Sequence, residues 1–211
     1  TASRDRTAKL IAVPSGKELA SIEHKNEVRF AEFSPNGKYL VTASYDNTAM
    51  IVEVPSGKKL ASIVHKYGVN TAHFSPDSKY FISASQDGTA KIVEVPSGKV
   101  LKSIEYNGPV MFAQFSPDGK YIITVLEDST ARLIEVSSGK LVKSIRHNQK
   151  YLVNSAQFSP DSKHLVTASS DGTARLVEVP SGKELTSITH RERVSFAQFS
   201  QDGKYIVTSS D

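Results

Sequence analysis

The chain of 211 residues carries a formal charge of +4 and contains neither cysteine nor tryptophan. Disulfides, thiolate zinc sites and cysteine nucleophiles are thereby excluded, and no apolar run approaches the roughly 20 residues a membrane helix requires. Hydrophobic residues make up 38% and charged residues 23% of the chain, as in a folded soluble protein, and the lysines and arginines are spread too evenly to favour a nucleic acid as partner.

In chain order, the polar stretch Thr1 to Thr7 lacks the features of a signal peptide, so the expected location is the cytoplasm unless a targeting segment has been removed. Thr7 to Val13 and Lys17 to Ile22 then read as two strands around a Pro-Ser-Gly-Lys turn. From Phe33 to Lys66 runs FSPNGKYLVTASYDNTAMIVEVPSGKKLASIVHK, which recurs from Phe74, Phe115 and Phe158 and starts again at Phe199. Repeats start near residues 1, 42, 83, 124 and 167, with a C-terminal overlap at 208–211. Thr1, Thr42, Ser83, Thr124, Thr167 and Thr208 mark one phase of a 41-residue period, broken by a single 43-residue step where Lys150 to Val153 carries a loop insertion. A period near 40 is the signature of propellers and related arrays, and 1–211 reads as one domain.

Turn chemistry cuts each repeat into four short strands. The turns are SPDG at Ser116 to Gly119, SDGT at Ser170 to Thr173, PSGK at Pro180 to Lys183, and a link near His190. In Tyr39 to Ser44 both alternating sets, Tyr39, Val41, Ala43 and Leu40, Thr42, carry apolar groups, as does Met50 to Val54. Such strands are buried on both faces, which fits antiparallel sheets stacked face to face.

The SPDGKYLVTASSDGTARL pattern, followed by an SGK turn and a histidine before the next V-x-x-A-x-F strand, resembles the WD40 repeat, particularly that of bacterial proteins. The resemblance covers the whole chain. It implies an all-β propeller of five four-stranded antiparallel blades. The family's Trp-Asp dipeptide is replaced by Val52-Glu53, Val93-Glu94, Ile134-Glu135 and Val177-Glu178, and by Ile11-Ala12 in the first unit, so the family's polar network is expected to be partial. One blade is expected to be completed by the terminal pairs, Val194 to Ser200 with Lys204 to Ser210 and Thr7 to Val13 with Lys17 to Ile22, which removes exposed sheet edges. A monomer is favoured, with blade sharing between copies as the alternative. The overlap of Thr208 to Asp211 with Thr1 to Arg4 suggests a segment of a longer array or an engineered chain.

Histidine, serine and aspartate recur together: His24 with Ser44 and Asp46, His65 with Ser85 and Asp87, His147 with Ser169 and Asp171, and, across the expected closure, His190 with Ser210 and Asp5. A hydrolase triad needs one exposed nucleophile beside an oxyanion hole, not copies on regular strands, and no G-x-S-x-G elbow is present. These residues are therefore expected to pin turns to loops. In the third repeat Tyr106 and Leu126 replace histidine and serine while Asp128 stays, so this blade is expected to be the least rigid or to be held by packing. No cofactor or metal is expected, since the histidines lack close ligand spacing, and His73 and His164 read as surface or strand-packing variants.

Positions that vary within a uniform array escape the packing constraint. Before the turn aspartate stand Arg4, Tyr45, Gln86, Glu127 and Ser170. At the starts of the first strands stand Glu27 and Arg29, Gly68 and Asn70, Pro109 and Met111, Leu152 and Asn154, and Arg193 and Ser195. By the resemblance, such positions surround the channel mouth and contact partners, with Tyr45, Tyr67, Tyr151 and the arginines the best individual anchors. Neutral drift of exposed loops leaves the same pattern. The expected function is a non-catalytic scaffold for a protein or peptide. The alternatives are a symmetric structural array without a ligand and, disfavoured by the missing tryptophan, a carbohydrate-binding or hydrolytic propeller.

Overall fold

A computed structural model describes residues 2–211. Among them every regular element is a β-strand: β1 (Thr7–Ile11), β2 (Glu18–Glu23), β3 (Val28–Phe33), β4 (Tyr39–Ser44), β5 (Thr48–Glu53), β6 (Lys59–Val64), β7 (Val69–Phe74), β8 (Tyr80–Ser85), β9 (Thr89–Glu94), β10 (Val100–Glu105) and β11 (Val110–Phe115). They continue as β12 (Tyr121–Leu126), β13 (Thr130–Glu135), β14 (Leu141–Arg146), β15 (Val153–Phe158), β16 (His164–Ser169), β17 (Thr173–Glu178), β18 (Glu184–Thr189), β19 (Val194–Phe199) and β20 (Ile206–Ser210). This is the strand inventory of a five-bladed β-propeller. Each full repeat supplies four consecutive antiparallel strands, the N-terminal pair β1-β2 corresponds to strands three and four of a blade, and the C-terminal pair β19-β20 corresponds to strands one and two.

The chain divides into two compact units, Thr1–Gln114 and Phe115–Asp211. In the first, neighbouring residues of β4 feed different cores. Leu40 packs with Ala8, Ile22, Val28 and Val52, and Val41 packs with Ile51, Ile63, Val69 and Phe81. That alternation is the physical content of a strand apolar on both faces, and each fully buried aliphatic side chain contributes on the order of 2 kcal/mol. In the second unit Val166 and Ala168 meet Val194, Ala197 and Phe199 in the same way. The residues standing where tryptophan was missing, Val52, Val93, Ile134 and Val177, are all buried, and Val52 and Val93 belong to the two cores of the first unit.

The SPDG turns are closed by their own serine. Ser75 donates its hydroxyl to Asp77 at 2.7 Å and accepts from the amide of Tyr80 at 3.0 Å, while Asp77 accepts from the amide of Lys79. Two repeats place serine where the others have glycine. Ser78 and Ser162 hold φ values of 60° and 62°, a region side chains normally avoid, and their hydroxyls accept from the amides of Asn36 and Asp118, one turn back in the array. A glutamate closes the SGK turn, as where Glu94 accepts from Ser97 at 2.6 Å, so the residue replacing the family's aspartate has a local structural task.

Four first-to-second strand pairings slip by one residue at the same place. The slip falls between Val28 and Phe30, Val69 and Thr71, Val153 and Ser155, and Val194 and Phe196. The extra residues are Arg29, Asn70, Asn154 and Ser195, four of the positions singled out for their variability. A bulge frees a side chain from the inside-outside alternation and re-aims it.

Candidate functional site

The recurrent histidines are built into clamps between a loop and a turn. His65 lies with Nδ1 3.1 Å from Asp87 Oδ2 and 3.1 Å from Thr89 Oγ1, while its Nε2 is 2.8 Å from Ser83 Oγ. Asp87 also accepts from the amides of Lys66 and Thr89 and from the hydroxyl of Thr89. His24, Asp46, Thr48 and Thr42 repeat this arrangement, as do His147, Asp171, Thr173 and Thr167. The clamp thus runs through two further hydroxyl positions that the His-Ser-Asp pattern omits. They were visible in the sequence, since Thr42, Ser83 and Thr167 mark the repeat phase and the turn threonine is the last letter of the SDGT motif.

The serines face elsewhere. Ser44 donates to the carbonyls of Asn26 and Glu27, Ser85 to those of Tyr67 and Gly68, and Ser169 to that of Leu152, and each accepts the amide of its aspartate two residues on. They tie down loop carbonyls and do not touch the imidazoles. His190 keeps the bond from Nε2 to Thr208, at 2.8 Å, and Ser210 donates to the Glu192 carbonyl. Asp5 accepts from the amide and hydroxyl of Thr7, which holds its carboxyl below the usual range.

Burial governs the protonation of the clamp. Desolvation, reinforced by the positive charge of Lys91 and opposed by Asp87, pushes His65 down to about 4, and desolvation likewise lowers His147. Asp87 and Asp171 fall to about 2, because although burial opposes their charge, the hydroxyl and amide donors around them outweigh it. Near neutral pH a neutral imidazole therefore donates from Nδ1 to the carboxylate and accepts at Nε2 from a hydroxyl.

The third repeat has a substitute for the clamp. Asp128 accepts from the amide and hydroxyl of Thr130 and forms an ion pair with Arg132 at 2.8 Å. In this repeat a guanidinium thus takes one side of the aspartate. Leu126 is buried at the serine position. His73 also has a defined place, buried between the rings of Phe30 and Phe112 at 4.4 and 5.0 Å and bonded through Nδ1 to Glu32, whereas His164 is half-buried in β16.

In the first unit the variable loop positions form a connected surface. Glu27 is 3.0 Å from Arg29 Nη1 and 3.9 Å from Arg4 Nε, and the Arg29 guanidinium lies 4.8 Å above the ring of Tyr45. Tyr45 and Gln86 both lie against Gly68, where a Cβ would come within 2.8 Å of Tyr45 Cδ1 and 3.4 Å of Gln86 Oε1. Beside them Lys66 reaches over the exposed ring of Tyr67 at 5.5 Å, and Met111 is exposed. Asn70 is different. It is buried and donates to the Val110 carbonyl at 2.8 Å, so it braces the next first strand and is not presented to solvent.

In the second unit Asn154 makes the same bond to the Val194 carbonyl and pairs with Ser170. Glu127 is exposed at the equivalent turn. Tyr151, half exposed, joins Ser170, Arg191, Glu192, Arg193 and Asp211 around an open cavity of about 510 Å³, in which Arg193 and Asp211 are ion-paired.

Comparison with known proteins places these features in a family. The WD40 model, described as WD domain, G-beta repeat, matches residues 16–52, 57–94, 98–135, 139–178 and 182–211. No curated protein matches the chain.

Proposed function

Because the chain belongs to the WD40 family, whose repeats commonly mediate protein interactions as scaffolds, we propose that it is a non-catalytic platform for a protein or peptide, docked on its variable loop edge. The observation that carries this reading is the connected surface Arg4, Glu27, Arg29, Tyr45, Gly68 and Gln86. Side chains that differ from repeat to repeat are there joined by charge, ring stacking and close contact. Tyrosine and arginine concentrate binding energy because they offer large rigid contact area and forked hydrogen bonding. The aspartates and histidines beneath are occupied with one another, which suits them to holding loops and not to moving protons for a substrate.

The test is selection of a displayed peptide library on the purified chain, followed by titration of enriched peptides against Tyr45→Ala and Arg29→Ala. Loss of binding at least about tenfold in both variants, with unchanged melting, is expected for a hot-spot pair. The second reading, a symmetric array without a ligand, is favoured by the near-identity of the repeats and by Asn70 and Asn154 being spent on internal bonds. Peptides whose affinity ignores both substitutions would favour it.

A further inference from the structure

Two Asn-Gly pairs occur in the chain, Asn36-Gly37 and Asn107-Gly108. Asparagine is among the thermolabile residues, and a following glycine lets the next backbone nitrogen approach the side-chain carbonyl because no Cβ stands in the way. Both pairs lie in the first unit, and the structure treats them in opposite ways.

Asn36 is locked in the turn between β3 and β4. Its Oδ1 accepts from the hydroxyl of Ser34 at 2.7 Å and from the amide of Lys38 at 3.0 Å, while the Gly37 amide donates to the Ser34 carbonyl at 2.8 Å. Electrophile and nucleophile are both committed. Asn107, in the link between β10 and β11, is exposed, and among the described residues neither its carboxamide nor the Gly108 amide has a hydrogen-bond partner. A Cβ on Gly108 would meet nothing within 4 Å, so a ring joining the two residues has room to form.

The missing histidine clamp accounts for the difference between this link and its counterparts. At the position of Asn107 three histidine repeats have Lys25, Lys66 and Asn148, and the turn aspartate holds each of these amides at 2.9, 2.8 and 3.0 Å. In the third repeat the corresponding Oδ2, on Asp128, is bonded to Arg132 at 2.8 Å. Asn148 is also fixed through its side chain, whose Oδ1 accepts from the Lys150 amide at 3.2 Å.

We propose that Asn107 is a self-modification site, at which the Gly108 amide nitrogen attacks the Asn107 carboxamide in the folded protein. The bond from Gly108 N to Asn107 Cγ forms and the Cγ–Nδ2 bond breaks. Ammonia leaves with the proton that the backbone nitrogen gives up, and nothing is oxidised or reduced. Water then opens the five-membered imide. Its attack at Cγ gives aspartate, and its attack at the backbone carbonyl gives isoaspartate, whose main chain runs through the side chain and is one methylene longer. Either product puts a new carboxylate on the loop. The longer backbone must also be absorbed by a link that packs on Gly88, to whose carbonyl the Tyr106 amide donates at 2.8 Å. Gly88 belongs to the same turn as Gln86, so the change reaches the loop surface, although the reaction does not depend on that surface binding anything.

The experiment is incubation of the purified full chain at mildly alkaline pH and physiological temperature, in buffer and in denaturing guanidinium chloride, followed by tryptic mapping with mass spectrometry. Asn107 falls in the peptide Ser103–Lys120 and Asn36 in Phe30–Lys38, so the two amide-to-acid conversions are read separately. In buffer Asn107 should convert at least about tenfold faster than Asn36, into two separable products of equal mass, because Asn36 must first give up its hydrogen bonds. In denaturant the two rates should converge, since the difference lies in the fold. Gly108→Ala, which the open space accommodates, should slow Asn107 without lowering the melting temperature, and Ser34→Ala should speed Asn36 and leave Asn107 unchanged. A rate at Asn107 in the folded chain no higher than at Asn36, or one that Gly108→Ala does not alter, would overturn the proposal.

Discussion

The imidazole of His65 stands 3.1 Å from the carboxylate of Asp87, its side chain fully withdrawn from solvent, and near neutral pH it holds that position uncharged. Burial is the main reason, and the opposing attraction of Asp87 is too small to restore the proton. The clamp is therefore a hydrogen-bonded unit, not an ion pair, and its behaviour follows from that.

Acid should loosen the fold in two steps. An unfolded histidine takes up a proton near 6.5, whereas folded His65 resists until about 4, so between these values the unfolded chain binds more protons and stability falls as pH falls. His147 acts in the same direction. Asp87 and Asp171, at about 2 in the folded chain against an ordinary 3.8, add a further loss between about pH 4 and pH 2. Thermal melts from pH 7.5 to pH 3 should show a declining midpoint already above pH 5. A midpoint that stays flat down to pH 4.5 would contradict the neutral clamp.

Removing the carboxylate should cost more than any other single polar change. Asp87→Ala strands the amides of Lys66 and Thr89, the hydroxyl of Thr89 and Nδ1 of His65, for an expected loss of about 3 kcal/mol or more. Asp128→Ala should cost less, about 1–2 kcal/mol, because its Arg132 partner is partly solvated and can be rehydrated. Urea unfolding of both variants measures the difference, and equal losses would count against the histidine clamp as the stronger device.

Ser78 offers a way to separate backbone strain from hydrogen bonding. Its φ of 60° suits glycine, yet its hydroxyl accepts from the Asn36 amide at 3.1 Å. Ser78→Gly loses that bond and relieves the backbone, so the two terms, each about 1 kcal/mol, should nearly cancel. Ser78→Ala loses the bond and keeps the strain, and should destabilise by about 1–2 kcal/mol. Denaturant midpoints that fall equally for both variants would show that the serine is kept for some other reason.

Gly68→Ala probes the loop surface without removing any of its polar groups. The added methyl would press within 2.8 Å of Tyr45, so the ring must turn away from its position under Arg29. Affinity for peptides that depend on Tyr45 should drop while the melting temperature changes little, since Gly68 is on a loop and its φ is not in the left-handed region. Unchanged affinity would mean that the ring's orientation is irrelevant to binding.

The repeat, the four strands within it and the burial of β4 on both faces could be read directly, because period-2 patterning and turn residues are local properties of the chain. Thr42 could be seen as a phase marker but not as the partner of His24 Nε2, since the two are 18 residues apart and meet only when a loop folds over a strand end. Arg29 and Asn70 occupy equivalent bulges of successive repeats and looked alike as variable positions. Tertiary structure sends one onto a tyrosine ring and the other into a buried bond with the Val110 carbonyl, because what a freed side chain meets depends on its neighbours and not on its own backbone. Sequence alone determined that the chain is an array of antiparallel blades of the WD40 type. Only packing between strands distant in sequence decided which polar groups are satisfied, which are exposed and which still lack a partner.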